Sequence, residues 1–197
     1  MYTLPITVNV DGKEYSIRNK ADYRTILGVI DVCTDPELTQ EERTLSAFIV
    51  FFDGLDTIED IFYEFGTAEL LEEALHQVMR FINLNDDDST STINKVKLID
   101  WQQDENLIIS AVNNVAKTEV RALEYLHWWT FISYYMSIGE SALSNVVAIR
   151  HKIAKGKPLE KFEQEFKREN PQYFMWKRKI AEEHNLIDSI WNVGKEK

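Results

Sequence analysis

From Leu4 to Val10 apolar and polar residues alternate, which places Ile6, Val8 and Val10 on one face of a half-buried strand. Asp11-Gly12 follows, then a second extended run from Lys13 to Arg18. Two such runs around Asp-Gly predict a β-hairpin. A lone hairpin is marginal in water, so it must lie on another element or pair with another chain. After Asn19, which reads as a cap, the period lengthens to that of a helix, with Tyr23, Ile26, Leu27 and Ile30 in one stripe. Asp35-Pro36 interrupts it. Thr39 to Glu42 has the Thr-x-x-Glu form of a capping box and opens a helix through Leu45, Phe48, Ile49 and Phe52. Asp56 to Glu59 starts a short helix. Thr67 starts a longer one, with Leu71, Leu75, Val78, Met79 and Ile82 inward.

The pattern then lapses. Asn83 to Thr92 is polar, acidic and low in complexity, the composition of an exposed connector. Asp86 and Asp88 echo a calcium loop, but the central Gly and the terminal Glu are missing. Helical periodicity resumes from Asp100 to about Val115, with Trp101, Leu107, Ile108, Ala111 and Val112 as core candidates. It continues from Glu119 to Ser137, from Gly139 or Glu140 to Ala154, from Leu159 to Lys167, and from Gln172 to Trp191. The pattern predicts a mainly α protein, a helical bundle with an N-terminal β-hairpin. Its parts are residues 1–82 (hairpin plus helices), an acidic connector over 83–98, and a helical part over 99–197, together one compact unit.

Composition narrows the functional classes. The 197 residues are 44 % hydrophobic and 12 % aromatic, enough to build a core. The net charge is −11, which argues against nucleic acid or an anionic membrane as a general partner. That charge is uneven. Residues 1–100 hold 8 basic and 20 acidic groups, whereas Arg150 to Lys179 hold 10 and 4. The basic segment suits an acidic protein face better than nucleic acid at this overall charge. The single cysteine, Cys33, excludes an intrachain disulfide and reads as a small buried hydrophobe. MYTLPITVNV lacks the basic and apolar regions of a signal peptide, and no apolar run is long enough to span a bilayer. The expected location is the cytoplasm.

Chemistry-bearing motifs are sparse. There is no P-loop, no G-x-G-x-x-G and no G-x-S-x-G. Glu73 with His76, and Glu124 with His127, are two Glu-x-x-His pairs on expected helices, the pattern of a ferritin-like di-iron site. With 20 Glu in the chain such pairings arise readily by coincidence, and no metal or other cofactor is assigned. The denser feature is Tyr125 to Tyr135, YLHWWTFISYY, with six aromatics in eleven residues. A helix apolar nearly all round belongs at the centre of a bundle. Trp and Tyr are also common interface anchors, so Trp128, Trp129, Phe131, Tyr134 and Tyr135 are candidate partner contacts. Ile6, Val8 and Tyr15 of the hairpin are candidates for self-association. His127 is expected to be hydrogen-bonded in the core.

The opening LPITVNVDGKEYSI, the run DPELTQEE leading to FFDGL, and the element YLHWWTFISYY together resemble a small family of tailed phages and prophages. The similarity spans most of residues 4 to 140. That family is encoded in the tail-assembly region, beside the tape-measure gene, and is regarded as tail-assembly-chaperone-like. The resemblance implies a non-enzymatic, oligomeric protein that binds the tape-measure protein and keeps it soluble during tail morphogenesis. It supplies no catalytic residues. Three alternatives stand beside it: a structural tail or connector protein of the virion, a nucleic-acid-binding regulator using the basic segment, and the di-iron protein.

Overall fold

The alternating run at the start of the chain pairs with the run after Asp11-Gly12 in the computed structural model, which describes residues 3–85 and 98–176. Strands β1 (Thr7–Val10) and β2 (Lys13–Ser16) are antiparallel, with Thr7 opposite Ser16 and Val10 opposite Lys13. Asp11 and Gly12 have φ of 49° and 80°, the paired positive values of a two-residue type I′ turn. Val8 and Val10 point inward. Ile6, expected on the same face, precedes the strand and is exposed.

Four helices follow: α1 (Tyr23–Cys33), α2 (Gln40–Phe51), α3 (Ile58–Glu64) and α4 (Ala68–Ile82). Side chains start each of them by accepting amide protons that a helix leaves unpaired. Thr39 and Thr57 form capping boxes with Glu42 and Asp60, and Thr67 accepts from Leu70 N–H. Asn19 is not the cap of α1. It lies in a 3-10 turn, Arg18–Ala21, with φ of 52°, and Asp22 caps the helix by accepting from Arg24 N–H. α1 packs on α2, and β1 on α4. Between them lies an aromatic cluster, with Phe48, Phe51, Phe52, Phe65 and Phe81 nearly free of solvent. Ring centroids are 5.1 Å apart for Phe51–Phe52, 5.3 Å for Phe52–Phe65 and 5.7 Å for Phe51–Phe81, at the tilted and edge-on angles that aromatic quadrupoles favour. Cys33 is buried, and burial pushes its thiol up to about 11.

The described residues form two compact units. Residues 3–85 and Tyr125–Trp129 make the first; residues 98–124 and 130–176 make the second. The second contains α5 (Glu105–Ala116), most of α6 (Trp128–Met136), α7 (Ala142–Ala154) and α8 (Lys161–Glu169), with 3-10 turns at Val120–Ala122 and Pro171–Tyr173. Its core holds Ile108, Val112, Val120, Phe131, Val146 and Ile149. At its centre the Arg150 guanidinium forms a bidentate pair with Asp104 at 2.6 and 2.9 Å, and donates to the carbonyls of Tyr173 and Leu98, both at 2.8 Å. The architecture is mainly α with an N-terminal hairpin, as the pattern predicts.

Three boundaries differ from the periodicity; the last helical run, expected from Gln172, opens as the 3-10 turn Pro171–Tyr173 and is not helical over 174–176. The helix expected from Glu119 to Ser137 is confined to Trp128–Met136, because the backbone of Leu126 pairs with the start of α1 instead of with its own neighbours. Tertiary pairing overrides propensity there. The helix expected from Asp100 begins at Glu105, because Asp100 Oδ1 accepts from Gln102 and Gln103 N–H and holds a turn. The candidate calcium residues Asp86 and Asp88, most of the acidic connector and the end of the last helical run lie outside the described residues.

Candidate functional site

The YLHWW element is an internal clasp. Tyr23 N–H donates to Leu126 O at 2.9 Å, Leu126 N–H donates to Asp22 Oδ2 at 2.9 Å, and Tyr125 Oη donates to Lys20 O at 2.9 Å. The two indoles close the far end of α4. Trp128 Nε1 donates to Ile82 O at 3.0 Å and Trp129 Nε1 to Phe81 O at 3.1 Å. The last carbonyls of a helix have no intrahelical partners, so adjacent tryptophans satisfy them here.

His127 lies between these contacts, 1 % exposed. Its Nδ1 accepts from Trp129 N–H at 3.0 Å, and its Nε2 is 2.8 Å from Pro5 O. An acceptor at Nδ1 and a carbonyl at Nε2 select the neutral tautomer protonated on Nε2. His127 therefore caps the start of α6 with one nitrogen and holds the segment before β1 with the other. Burial lowers its pKa, partly opposed by the hydrogen bond to Pro5. The hydrogen-bonded core role expected for His127 is what the structure shows.

The other sequence candidates scatter. Trp128 and Phe131 are buried; Trp129, Tyr134 and Tyr135 are half-buried. Tyr135 packs on Trp101 with ring centres 5.1 Å apart and planes tilted by 46°, and burial raises its pKa. Val8 is buried beneath the hairpin. Tyr15 packs on Phe65 at 5.1 Å and donates to Glu64 Oε2 at 3.0 Å, so of the three self-association candidates only Ile6 presents an exposed apolar side chain. The di-iron geometry fails at its second motif. Glu124 lies before α6 in non-helical backbone, so it and His127 do not share a helix face. Among the described residues no group of three or more His, Cys, Asp or Glu side chains gathers as a metal site. Likewise, no helix there is long and apolar enough to cross a membrane.

The basic segment is partly neutralised from within. Arg150, its first residue, is buried against Asp104, and its guanidinium lies 4.3 Å from the Trp176 ring centre. Lys152 pairs with Glu163 at 2.7 and 2.8 Å. That ion pair and the amide of Glu160 hold the Glu163 carboxyl below its usual range.

The surface that sequence reasoning passed over lies between α7 and α8. It is a groove of about 330 Å³. Phe162, Phe166 and Ile149 supply its apolar lining, Asn145 and Ala148 of α7 one wall, and Glu165 and Glu169 its acidic edge. Phe162 is 69 % exposed. The available signal was two phenylalanines at i and i+4 in an otherwise polar nine-residue helix. A second apolar surface lies on α3, where Ile58 and Phe62 are about half exposed and Tyr63 is 87 % exposed.

A family model described as Bacteriophage Gp15 protein matches residues 2–174. No curated protein and no solved structure gives a match.

Proposed function

Since the chain belongs to the Bacteriophage Gp15 protein family, we propose that it acts as a tail assembly chaperone, binding the tape-measure protein in the host cytoplasm during tail morphogenesis, without catalysis. Membership of a bacteriophage family supports a structural or morphogenetic role. The single observation that carries the finer reading is the open α7–α8 groove, an apolar lining with an acidic edge on an otherwise well-packed unit. A chaperone for a long helical client needs exposed apolar surface, and amphipathic helices bind in such grooves. The acidic composition supports it too, because net charge keeps a protein with exposed aromatics dispersed. Contact through the aromatic run, in this reading, involves Trp129, Tyr134 and Tyr135, while Trp128 and Phe131 hold the fold. Homo-oligomerisation would use Ile6 beside Leu4, both exposed ahead of β1.

Co-expression with the tape-measure protein is the test. The chaperone reading predicts that the chain moves that protein into the soluble fraction and co-purifies with it; an insoluble tape-measure protein and no complex would refute it. A second reading, a tail or connector subunit kept in the virion, is favoured by the separate apolar face on α3, which suits a permanent contact. Mass spectrometry of purified particles separates the two, since a chaperone leaves the finished tail.

A further inference from the structure

α8 carries two parallel rows on the side that faces the groove. Phe162 and Phe166 form one, Glu165 and Glu169 the other, each at i, i+4 spacing, so that members of a row are neighbours on the helix surface. The opposite wall is low, because α7 presents Asn145 and Ala148 beside buried Ile149. A third carboxylate that lines the groove, Glu163, is neutralised, because Lys152 on α7 grips it through both carboxylate oxygens. Its acidic edge is largely unspent. Glu165 is 3.6 Å from Arg168, both of them well exposed, and Glu169 has no ion-pair partner among the described residues. The basic residues of α8, Lys161, Lys167 and Arg168, do not line the groove. A water-exposed aromatic beside two exposed carboxylates, one weakly paired and one without an ion-pair partner among the described residues, calls for an occupant that is apolar on one stripe and cationic on the next.

We propose that this groove docks one amphipathic α-helix of a partner protein, laid along α8 with an apolar i, i+4 row on Phe162 and Phe166 and a parallel row of Lys or Arg side chains against Glu165 and Glu169. The inference deepens the chaperone reading, on which it rests for the partner's identity. The helix supplies the same two rows in complementary chemistry. The aromatic row contributes affinity and the carboxylate row sets register and orientation.

The probe is a dye-labelled synthetic helix of about five turns with a Leu row and an adjacent Lys row, followed by fluorescence anisotropy against the full chain. A second peptide replaces every Lys with Glu. The proposal predicts binding of the Lys peptide that weakens as salt rises, and at least about tenfold weaker binding by Phe162→Ser. Glu165→Lys with Glu169→Lys reverses the preference between the two peptides. All three substitutions are on exposed side chains, and circular dichroism confirms that the variants stay folded. The proposal is overturned by a Lys-peptide Kd weaker than about 1 mM, by equal binding to Phe162→Ser, or by equal affinity for the Glu peptide. It is also overturned if Phe162→Ser converts a dimer to a monomer in sedimentation, which assigns the groove to a second copy of the chain. Co-expression separates the two readings. If Phe162→Ser still solubilises the tape-measure protein as the parent does, the chaperone reading stands and the groove falls. If the parent fails there yet binds the Lys peptide through Phe162 and Glu169, the groove stands and the chaperone reading falls.

Discussion

Replacing His127 probes the clasp at a residue bonded through both ring nitrogens. His127→Ala removes the acceptor for Trp129 N–H and the donor to Pro5 O, at 3.0 and 2.8 Å. Loss of a helix cap costs about 1 kcal/mol. A carbonyl left unpaired in a part-buried site adds about 1–3 kcal/mol, so the expected total is about 2–4 kcal/mol. His127→Asn keeps an acceptor that caps helices well but gives up Pro5, so it should cost about half as much. Acid adds an independent handle. Protonating Nδ1 turns it from acceptor to donor, facing the Trp129 N–H. Because burial lowers the folded-state pKa below the ordinary value of 6.5, the unfolded chain takes up this proton first. Stability is therefore complete above about 6.5 and falls as pH drops from there through the folded-state value. Carboxylates held low by their partners, such as Glu42, Asp60, Glu64 and Glu163, have ordinary values of 3.8 to 4.5, so their losses come at lower pH. Thermal unfolding of the parent, His127→Ala and His127→Asn near pH 7.5 and pH 5 is the assay. Equal destabilisation by Ala and Asn would refute the capping role. An acid loss in the parent no greater than in His127→Asn would refute the requirement for a neutral ring.

Three further outcomes follow from the same geometry. Trp128→Phe should destabilise more than Trp129→Phe in chemical denaturation, by about 1 kcal/mol, because Phe81 O also accepts from Leu84 N–H at 3.1 Å whereas Ile82 O has no second donor among the described residues. Arg150→Met leaves Asp104 buried without its cation and should cost about 3–5 kcal/mol, while adding Asp104→Leu removes the stranded charge and recovers part of that, the Asp100 amide and the Leu98 and Tyr173 carbonyls still lacking these partners, read as a double-mutant cycle in urea. Thr39→Ala should cost about 1 kcal/mol in the same assay, because Thr39 Oγ1 accepts from Glu42 N–H at 3.3 Å and the Glu42 carboxylate accepts from Thr39 N–H at 2.7 Å.

The elements that local rules govern were legible in the sequence. Asp11-Gly12 predicts the hairpin because few residues tolerate two successive positive φ values, and Thr39 and Thr67 mark helix starts because a side-chain oxygen must sit there. The segment from Glu119 to His127 misleads for the opposite reason. Its period is helical, but Asp22 and Tyr23, about a hundred residues earlier in the chain, capture the Leu126 backbone. The aromatic run shows a related ambiguity. Its composition fits a core or an interface equally well, and the choice was made by the carbonyls of Phe81 and Ile82, whose need for donors no local pattern records. Arg150 reads as part of a basic stretch only until Asp104 is found beside it. Phe162 is the converse, an aromatic that a two-residue stripe would place inward and that the small wall of α7 leaves in water.

The most direct test is amide hydrogen exchange on the full chain, alone and bound to the co-expressed tape-measure protein. The account predicts slowed exchange over α7 and α8 around Ile149 and Phe162, with no change at the Leu126 amide of the clasp, which already donates to Asp22 within the chain. Protection confined to the clasp, or none along α7 and α8, would contradict it.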